Sequence, residues 1–441
     1  MEIQTLVRFN EWWKTGNVPE DLLEGYKRPL YDEILKYLED RQVLAIIGLR
    51  RVGKTTLMYQ LIQNLLEKVK KEYILYFSFD EEQFDIEDVL ETYREFILKG
   101  NWREFDRIYV FFDEIQKVND WQNKIKTYYD LYPNVKFIVS GSASLIIEKR
   151  AKESLAGRLY DFNLDLLTFK EFLSFKKLKI PDLEYRLFDE FEKIEKDYNN
   201  LILFESDLRT LFSEYLFKGG FPEIVDERDD KKIRRYIKNS VIDKIVYSDI
   251  PKIFKIEEPE VLIILLRLIA NTPGLLVDYK GLGENLGKNR KTMARYFYYL
   301  QKSFLVILLS NFSGSFLTSA RKLKKAYITD TGIVNTLMDR EIDDRVIGML
   351  VENLIVSKLK AKFFYRRNYE IDIIIKDEEI LPIEIKYQSR IDRKDFKSMV
   401  RFCKKFKLKR GIIITKDLLR CDKNKGIEIQ FIPAWLFLLY L

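Results

Sequence analysis

Short apolar runs alternate with amphipathic stretches through the first 165 residues of the chain. The runs that we interpret as buried strands are Val43–Ile47, Tyr73–Phe79, Ile108–Glu114 and Lys136–Ser142. Helical spacing of apolar residues marks a lead-in before residue 40, a helix after Thr56 and another over residues 87–98. Apolar strands that alternate with helices are typical of a parallel sheet covered on both faces. We therefore predict an α/β core in this part.

The middle of the chain has a different pattern. Residues 166–256 are helical, charged and aromatic, and we interpret them as a helical lid. After them the spacing predicts helices and then two strands, at Glu260–Ala270, Tyr279–Leu286, Arg290–Lys302, Phe304–Leu309 and Lys325–Thr329. The short second helix, the turn at Gly287 and the following strands indicate a helix-turn-helix with a wing, that is, a winged helix.

The last hundred residues again predict a mixed α/β domain. A helix starts near Val346, and strands follow at Lys362–Arg366, Glu370–Lys376 and Ile380–Lys386, with a further helix over residues 392–406. The whole pattern predicts four domains, with bounds 1–165, 166–256, 257–340 and 341–441. A chain of 441 residues is too long for one core, which agrees with a multi-domain organisation.

The first strand runs directly into a complete G-x-x-x-x-G-K-[ST] phosphate loop. In such a loop, backbone N–H groups and the following helix N-terminus surround phosphate. Lys54 is placed to reach the β- and γ-phosphates, and Thr55 to ligand Mg²⁺. The alternative, a glycine turn without a ligand, would not need a strand before it and a helix after it. We expect ATP and Mg²⁺ as cofactors, with contacts from Gly48, Leu49, Arg50, Arg51, Val52, Gly53, Lys54, Thr55 and Thr56.

Two carboxylates, Asp113 and Glu114, end the third apolar strand, at the edge where parallel sheets bind ligands. Asp113 would help to hold Mg²⁺, and Glu114 would polarise the attacking water. Ser140 and Ser142 end the next strand, where they are either γ-phosphate sensors or ordinary helix caps. Arg158 is a candidate γ-phosphate sensor or arginine finger, with a surface arginine as the alternative.

Composition narrows the chemistry. The chain has no histidine, which excludes Ser-His-Asp catalysis and histidine-based metal sites. Its two cysteines, Cys403 and Cys421, are too few for a zinc cluster. The start of the sequence lacks a signal-peptide pattern, and its longest apolar runs are shorter than the roughly 20 residues of a membrane span. We expect a cytoplasmic protein with no membrane partner.

Positive charge is concentrated in two segments, although the formal net charge of the chain is only +7. Residues 280–325 hold ten Lys or Arg against one acidic residue, and residues 389–425 hold fourteen against four. The predicted recognition helix presents Lys288, Arg290, Lys291 and Arg295. Such basic surfaces bind nucleic acid through counterion release, so we expect DNA as a partner. Docking of another protein, or of further copies of this chain, through the winged helix is the alternative.

The predicted hairpin near the end of the chain opposes two carboxylates. If residue 378 is the centre of its turn, paired residues sum to 756, so Asp372 faces Glu384 and Glu370 faces Lys386. Opposed carboxylates destabilise a sheet, and a divalent cation removes the repulsion. An ion-paired strand that holds no metal is the alternative.

Two family resemblances extend this interpretation. The phosphate loop, Phe-Phe-Asp-Glu-Ile-Gln around Asp113, Val-Ser-Gly-Ser around Ser140 and Leu-Ala-Gly-Arg before Leu159 resemble archaeal and bacterial AAA-type ATPases. This resemblance implies an AAA-like or STAND-like sheet of five parallel strands, followed by a winged helix and a nuclease-like tail. It assigns ATP contacts to Gly53, Lys54 and Thr55, the Walker B pair to Asp113 and Glu114, and an arginine finger to Arg158.

The tail resembles the PD-(D/E)xK nuclease core, although its pattern opens with Ile371-Asp372 rather than Pro-Asp. The resemblance implies that Glu352, Asp372 and Glu384 are metal ligands and that Lys386 stabilises the attacking water or the leaving phosphate. The sequence therefore predicts an ATPase that acts on DNA, with a metal-dependent endonuclease tail. The alternative is a nucleotide-dependent switch or assembly ATPase whose tail is inactive and used for docking.

Overall fold

The computed structural model describes residues 1–23, 26–80, 84–142, 155–185, 190–313, 323–376, 379–424 and 426–441. The described chain divides into two compact units, Met1–Asp165 and Leu166–Leu441. The finer division of the second unit into a lid, a winged helix and a nuclease-like domain stays a prediction. In the described ranges, no helix combines the length and the apolar character that crossing a membrane requires.

The first unit contains a five-stranded parallel sheet, as predicted. Its strands are β1 (Val43–Ile47), β2 (Ile74–Ser78), β3 (Ile108–Asp113), β4 (Val135–Gly141) and β5 (Leu159–Asn163), in the order β2-β3-β4-β1-β5. All four pairings are parallel, so the carboxyl ends of the strands meet at one edge. Every residue of β1, β3 and β4 is buried, as expected for the interior of a covered sheet.

Helices of the first unit are Ile3–Phe9, Trp12–Thr15, Pro29–Leu35, Lys54–Leu66, Ile86–Tyr93 and Trp121–Leu131. The first two protect the edge strand β2, whose backbone groups would otherwise be open for pairing. The Asn10 amide donates to the Tyr76 carbonyl at 2.8 Å and accepts from the Tyr76 N–H at 2.7 Å. The indole N–H groups of Trp12 and Trp13 donate to the Ile74 carbonyl. The N-terminal helical segment is therefore part of the core of the first unit.

A buried lysine attaches the end of the third helix to the sheet. The Lys136 ammonium on β4 donates to the carbonyls of Tyr37, Asp40 and Gln42 at 2.6–2.8 Å. The three donors of the ammonium meet three backbone carbonyls of the segment that connects this helix to β1. This contact fixes the chain just before β1, and so fixes the start of the strand that carries the phosphate loop.

The second unit contains a single nine-stranded sheet. Its strands are β6 (Leu275–Val277), β7 (Val306–Asn311), β8 (Lys324–Ile328), β9 (Phe363–Arg366), β10 (Glu370–Lys376), β11 (Ile380–Lys386), β12 (Arg410–Thr415), β13 (Arg420–Asn424) and β14 (Ile427–Pro433). The order is β13-β14-β12-β11-β10-β9-β7-β8-β6. Parallel pairing of β7 with β9 joins the predicted wing strands to the sheet of the tail.

The predicted register of the β10–β11 hairpin is confirmed. Ile373 pairs with Ile383 and Ile374 with Pro382, and each pair sums to 756. Pro382 lies in the ladder without shifting it. The turn residues Asp377 and Glu378 lie outside the described residues.

Helices of the second unit are Phe169–Phe175, Phe191–Leu201, Glu205–Lys218, Asp230–Tyr236, Ile250–Ile253, Glu260–Asn271, Tyr279–Asn285, Arg290–Lys302, Thr331–Leu337, Asp344–Lys358, Lys397–Phe406 and Ala434–Leu439. The three helices predicted between residues 260 and 302 are present, with β7 and β8 after them. Strands β12 to β14 were not predicted from the sequence.

The predicted basic segment of residues 280–325 presents less charge than its composition suggests. Lys325 is only 5 % exposed and pairs with Glu370. Lys288 pairs with Glu258. Arg290, Lys291 and Arg295 are exposed on the helix Arg290–Lys302, as predicted. Arg321 and Lys322 lie outside the described residues.

Candidate functional site

The phosphate loop lies at the carboxyl edge of the first sheet, between β1 and the helix that begins at Lys54. Arg51 and Gly53 both have positive φ angles, 68° and 94°, which turn the backbone into the helix. Gly48 is required for a different reason. A Cβ atom at this position would lie 2.2 Å from the carbonyl oxygen of Leu164. The loop is thus packed against the residue that follows β5.

Lys54 is held inside the loop. Its ammonium donates to the carbonyls of Leu49 and Gly48 at 3.1 and 3.4 Å, and it lies 3.9 Å from a carboxylate oxygen of Glu114. The residue is only 5 % exposed. A largely desolvated ammonium with weak carbonyl partners is suited to bind a phosphate oxygen.

The Asp113 carboxylate joins the loop to three strands. It accepts hydrogen bonds from the Thr55 hydroxyl at 2.6 Å, the Tyr76 hydroxyl at 3.0 Å and the Glu114 N–H at 3.1 Å. The Ser140 hydroxyl also donates to it. Burial, together with the charge of Asp113, raises the pKa of Tyr76, so this phenol keeps its proton and remains a donor. The orientation of Asp113 is therefore determined by its neighbours.

Glu114 lies next to Lys54 in a left-handed backbone conformation, with φ 52°. This conformation costs about 1 kcal/mol for a residue with a Cβ atom. The Glu114 carboxylate accepts a hydrogen bond from the Gln116 amide at 2.5 Å. Strained non-glycine residues of this kind are concentrated at functional sites.

The structure brings together some of the predicted residues and not others. Lys54, Thr55, Asp113, Glu114 and Ser140 form one contiguous site. Ser142 is one residue beyond the carboxyl end of β4.

Arg158 lies at the opposite edge of the sheet. Its carbonyl accepts from the N–H of Val43 at the start of β1, and its guanidinium donates to Asp130 at 3.1 Å. The length of β1 separates it from the phosphate loop by roughly 15 Å. Its catalytic role stays a prediction, restricted to a nucleotide bound by another copy of the chain.

The Thr55–Asp113 pair fits a magnesium ion. A hydroxyl next to a carboxylate at a helix N-terminus supplies the hard oxygen donors that Mg²⁺ takes together with water and phosphate. The site can therefore hold a triphosphate through Lys54 and the loop N–H groups, with a carboxylate, Glu114, beside it for the attacking water.

A second group of ionisable side chains lies on the nine-stranded sheet, and we call it the carboxylate centre. It contains the predicted residues Glu352, Asp372, Glu384 and Lys386. The Lys386 ammonium lies 2.9 Å from one oxygen of Glu384. Asp372 accepts from the Ile385 N–H at 2.8 Å, which ties β10 to β11 next to Glu384. The other oxygen of Glu384 is buried and has no hydrogen-bond partner.

Three further residues complete the carboxylate centre and were not assigned to it from the sequence: Lys325, Tyr327 and Glu370. Lys325 pairs with Glu370 and lies 3.8 Å from Glu352. The Tyr327 hydroxyl donates to Glu352 at 2.6 Å. Both Lys325 and Tyr327 belong to β8, a predicted wing strand. Contacts between distant parts of the chain, the pairing of β7 with β9 and the hydrogen bonds of Asn353 to Ile328, bring them here, so no local sequence signal could have identified them.

Burial and mutual repulsion dominate the electrostatics of this centre. Burial, and then the charge of Asp372, raise the pKa of both Glu352 and Glu384 to about 7. Burial also raises the pKa of Asp372. These pKa values rise because each negative charge would be poorly solvated and would lie beside another.

In the ranges that the structure describes, no group of three or more acidic or cysteine side chains is arranged to hold a metal ion. The carboxylate pair of Asp372 and Glu384 still fits one hard cation. The buried oxygen of Glu384 that has no partner is the specific feature that a cation would satisfy. The predicted three-carboxylate ligand set, with Glu352 as a member, stays a prediction.

Three segments of the chain match known protein families. Residues 40–173 match the AAA domain family, a segment that contains the phosphate loop, Asp113 and Glu114. Residues 209–344 match a domain of unknown function, DUF8612, and residues 346–437 match another, DUF4143.

Similar proteins span most of the chain. The uncharacterized protein MJ1544 of Methanocaldococcus jannaschii is 30 % identical over 361 residues, which are 79 % of this chain and 75 % of that protein. The uncharacterized protein MJ1637 of the same organism is 28 % identical over 436 residues, which are 93 % of this chain and 88 % of that protein.

Among solved structures, C. elegans PCH-2 matches 41 % of this chain and 54 % of the PCH-2 chain, with 16 % identity and a TM-score of 0.27. A TM-score of this size supports no conclusion.

The two glycines of the phosphate loop should respond differently to alanine. We expect Gly48→Ala to destabilise the first unit by about 3 kcal/mol and to abolish nucleotide binding, because the new methyl group would clash with backbone. Gly53→Ala adds only the strain of a positive φ, about 1 kcal/mol, because no other atom lies within 4 Å of the added group. Thermal unfolding and binding of a fluorescent ATP analogue measure both effects. Equal losses in the two variants would contradict this account of the loop.

Proposed function

We propose that this chain, which belongs to the family of the Methanocaldococcus jannaschii protein MJ1544, uses its AAA domain to bind ATP and to hydrolyse it. The observation that carries the proposal is the contiguous set of Lys54, Thr55, Asp113 and Glu114 at the carboxyl edge of a parallel sheet. These four side chains supply the charge compensation and the positioning that phosphoryl transfer requires.

Each residue has a distinct role. Lys54 leaves its carbonyl partners to donate to the β- and γ-phosphates. Thr55 and Asp113 would hold a Mg²⁺ ion, which would compensate phosphate charge when bound. Glu114 accepts a hydrogen bond from the attacking water and orients it toward the γ-phosphate. Tyr76 and Ser140 keep Asp113 in place through their hydroxyl groups.

Arg158 would act between copies of the chain. Within one unit it is separated from the phosphate loop by the length of β1. Its half-buried guanidinium pairs with a surface carboxylate, Asp130, and lies 5.9 Å from the centre of the Tyr129 ring. An arginine finger supplied by a neighbouring copy would require a homo-oligomer. This arrangement is the one in which Arg158 could reach a γ-phosphate.

The second unit would dock to DNA through the segment between residues 260 and 328. The elements of this segment follow the order helix, strand, helix, helix, strand, strand, which is the order of a winged helix. On the helix Arg290–Lys302, Lys291, Arg295, Tyr298 and Lys302 recur at helical spacing, and all are exposed. The Lys302 ammonium lies 5.7 Å from the centre of the Tyr298 ring. A basic stripe with an aromatic residue favours phosphate contacts with stacking.

The carboxylate centre would cut DNA in the presence of a divalent cation. Asp372 and Glu384 would hold the ion, and Lys386 would stabilise the water or the leaving phosphate. In support, Glu384 has a buried oxygen without a partner, and Lys386 lies next to its other oxygen. The basic residues Lys397, Arg401 and Lys404 are exposed on one face of the helix Lys397–Phe406.

A second candidate function is a nucleotide-dependent switch or assembly ATPase. In that case the second unit would dock a protein partner and the carboxylate centre would be inactive. The ion pairs of Lys325 and Lys386 with Glu370 and Glu384 favour this alternative, because paired charges can persist without a metal.

Glu114→Gln should separate ATP binding from hydrolysis. We expect kcat to fall on the order of a hundredfold or more while ATP binding is retained, because only the group that orients the water is lost. Lys54→Ala should lose ATP binding itself. Phosphate release and equilibrium binding measure the two quantities, with the exposed Glu67→Gln as control. Unchanged turnover in Glu114→Gln would remove this residue from the mechanism.

DNA docking is tested by salt dependence. The triple variant Lys291→Gln, Arg295→Gln, Lys302→Gln should reduce the slope of log affinity against log salt for duplex DNA by about 2 to 3, because three phosphate contacts are lost. The matched triple variant Lys397→Gln, Arg401→Gln, Lys404→Gln removes equal charge from another exposed helix. If the slope of log affinity against log salt falls only in the second variant, the helix Lys397–Phe406 contacts the DNA instead. If the slope is unchanged in both variants, a protein partner is favoured.

Cleavage is tested with Lys386→Ala. We expect Mn²⁺-dependent or Mg²⁺-dependent nicking of single-stranded, duplex or branched DNA to fall on the order of a hundredfold or more, with ATP turnover unchanged. Lys376→Ala, at the exposed end of β10, is the control and should cleave normally. If the unaltered protein cuts none of these substrates while it hydrolyses ATP, the switch is the better description.

A further inference from the structure

Lys325 occupies an unusual place for a lysine. It is 5 % exposed on β8, and its ammonium is directed at the acidic residues that follow it by 27 and 45 positions in the chain, Glu352 and Glu370. Neighbouring strands flank it on both sides, since Lys325 pairs with Leu276 on β6 and with Leu309 on β7. A lysine is rarely buried to this extent unless its charge is compensated.

Two side chains of β8, those of Lys325 and Tyr327, contact the carboxylates of Glu352 and Glu370. Glu352 accepts the Tyr327 hydroxyl at 2.6 Å and has the Lys325 ammonium at 3.8 Å. Glu370 pairs with Lys325 and also with Arg366, at 3.4 Å. Gly274 closes the same space, because a Cβ atom there would lie 3.0 Å from the Tyr327 hydroxyl and 3.3 Å from Glu352. Glu352 and Glu370 thus already have a positive charge beside them, the ammonium of Lys325.

The remaining carboxylates are in a different state. Asp372 and Glu384 lie on β10 and β11. Lys386 pairs with one oxygen of Glu384 at 2.9 Å, and the charge of Lys325 counteracts the rise that burial causes in the pKa of Asp372. The unpartnered oxygen of Glu384 is buried, and the residue is 4 % exposed. The carboxylate centre is therefore divided into a part whose carboxylates lie beside Lys325 and a part that keeps one buried oxygen, on Glu384, without a partner.

We propose that Lys325 is the built-in counter-ion of the carboxylate centre, so that the centre takes one divalent cation, at Asp372 and Glu384, and excludes Glu352 and Glu370 from its ligands. This inference rests on the proposed cation site of the tail and not on its cutting DNA. Lys325 is a positioning residue, since it acts through the charges of Glu352 and Glu370. The segment before residue 340 thereby determines how much metal the last hundred residues bind.

The experiment compares Mn²⁺ binding by full-length, nucleotide-free protein in calorimetric titrations. Lys325→Met removes the ammonium and keeps the length of the side chain. We expect it to bind Mn²⁺ at least about tenfold more tightly than the unaltered protein, or to take up one further equivalent, because Glu352 and Glu370 lose the buried ammonium beside them. Lys324→Met, one residue earlier on β8, and Lys325→Arg should both behave like the unaltered protein.

Further variants locate the effect. The double variant Lys325→Met, Glu352→Gln should lose the increase in Mn²⁺ binding that Lys325→Met shows. If Lys325→Met does not fold in EDTA, the proposal requires that Mn²⁺ restore its folded near-ultraviolet circular dichroism. Unchanged or weaker Mn²⁺ binding in Lys325→Met, or failure to fold with Mn²⁺ present, overturns the proposal. If the unaltered protein cuts no DNA but the Mn²⁺ gain is observed, the nuclease function fails and the role of Lys325 stands.

Discussion

The first unit depends on the position of one carboxylate, that of Asp113. Its donors come from the phosphate-loop helix, from β2 and from β4, so displacement of any of these elements would leave a buried acceptor with fewer partners. Because Thr55 is one of the donors, the geometry of the loop is connected directly to that of the sheet. The protection of β2 by Asn10 then has a functional meaning, since the same residue, Tyr76, supplies both the paired backbone and the phenol that holds Asp113.

The second unit has a corresponding constraint in the pairing of β7 with β9. Only two residue pairs are described for it, Ser310 with Phe363 and Asn311 with Phe364. The Asn311 side chain reinforces the junction by donating to the Arg366 carbonyl at 2.9 Å and accepting its N–H at 3.1 Å. Two hydrogen bonds between the Asn353 side chain and the Ile328 backbone hold the helix of Glu352 against β8. Without these contacts and the junction, Lys325 would be buried without an acidic partner, at a cost of several kcal/mol.

The sequence was informative wherever a structure depends on neighbouring residues. Strand β1, the hairpin register at Ile373 and Ile383, and the helix Arg290–Lys302 all follow from local periodicity and turn position. Features that depend on distant pairing were missed. Strands β12 and β13 lie in the basic segment of residues 389–425, where the charged residues obscured the short apolar run of β12, and β14 follows directly after this segment. Tyr76 reads as one more apolar residue of a buried strand, and its polar use becomes visible only when Asp113 is placed beside it.

Family boundaries and physical boundaries differ in this protein. The two domains of unknown function meet between residues 344 and 346, yet the sheet continues across that point and charge compensation crosses it. Lys325 and Tyr327 lie on one side, and the carboxylates that they serve lie on the other. A fragment cut at residue 345 would leave Glu352 and Glu370 without Lys325 and β9 without its neighbour β7. Physically, the unit of function in this part of the chain is the nine-stranded sheet, and the activity of either segment should be sought in a protein that contains both.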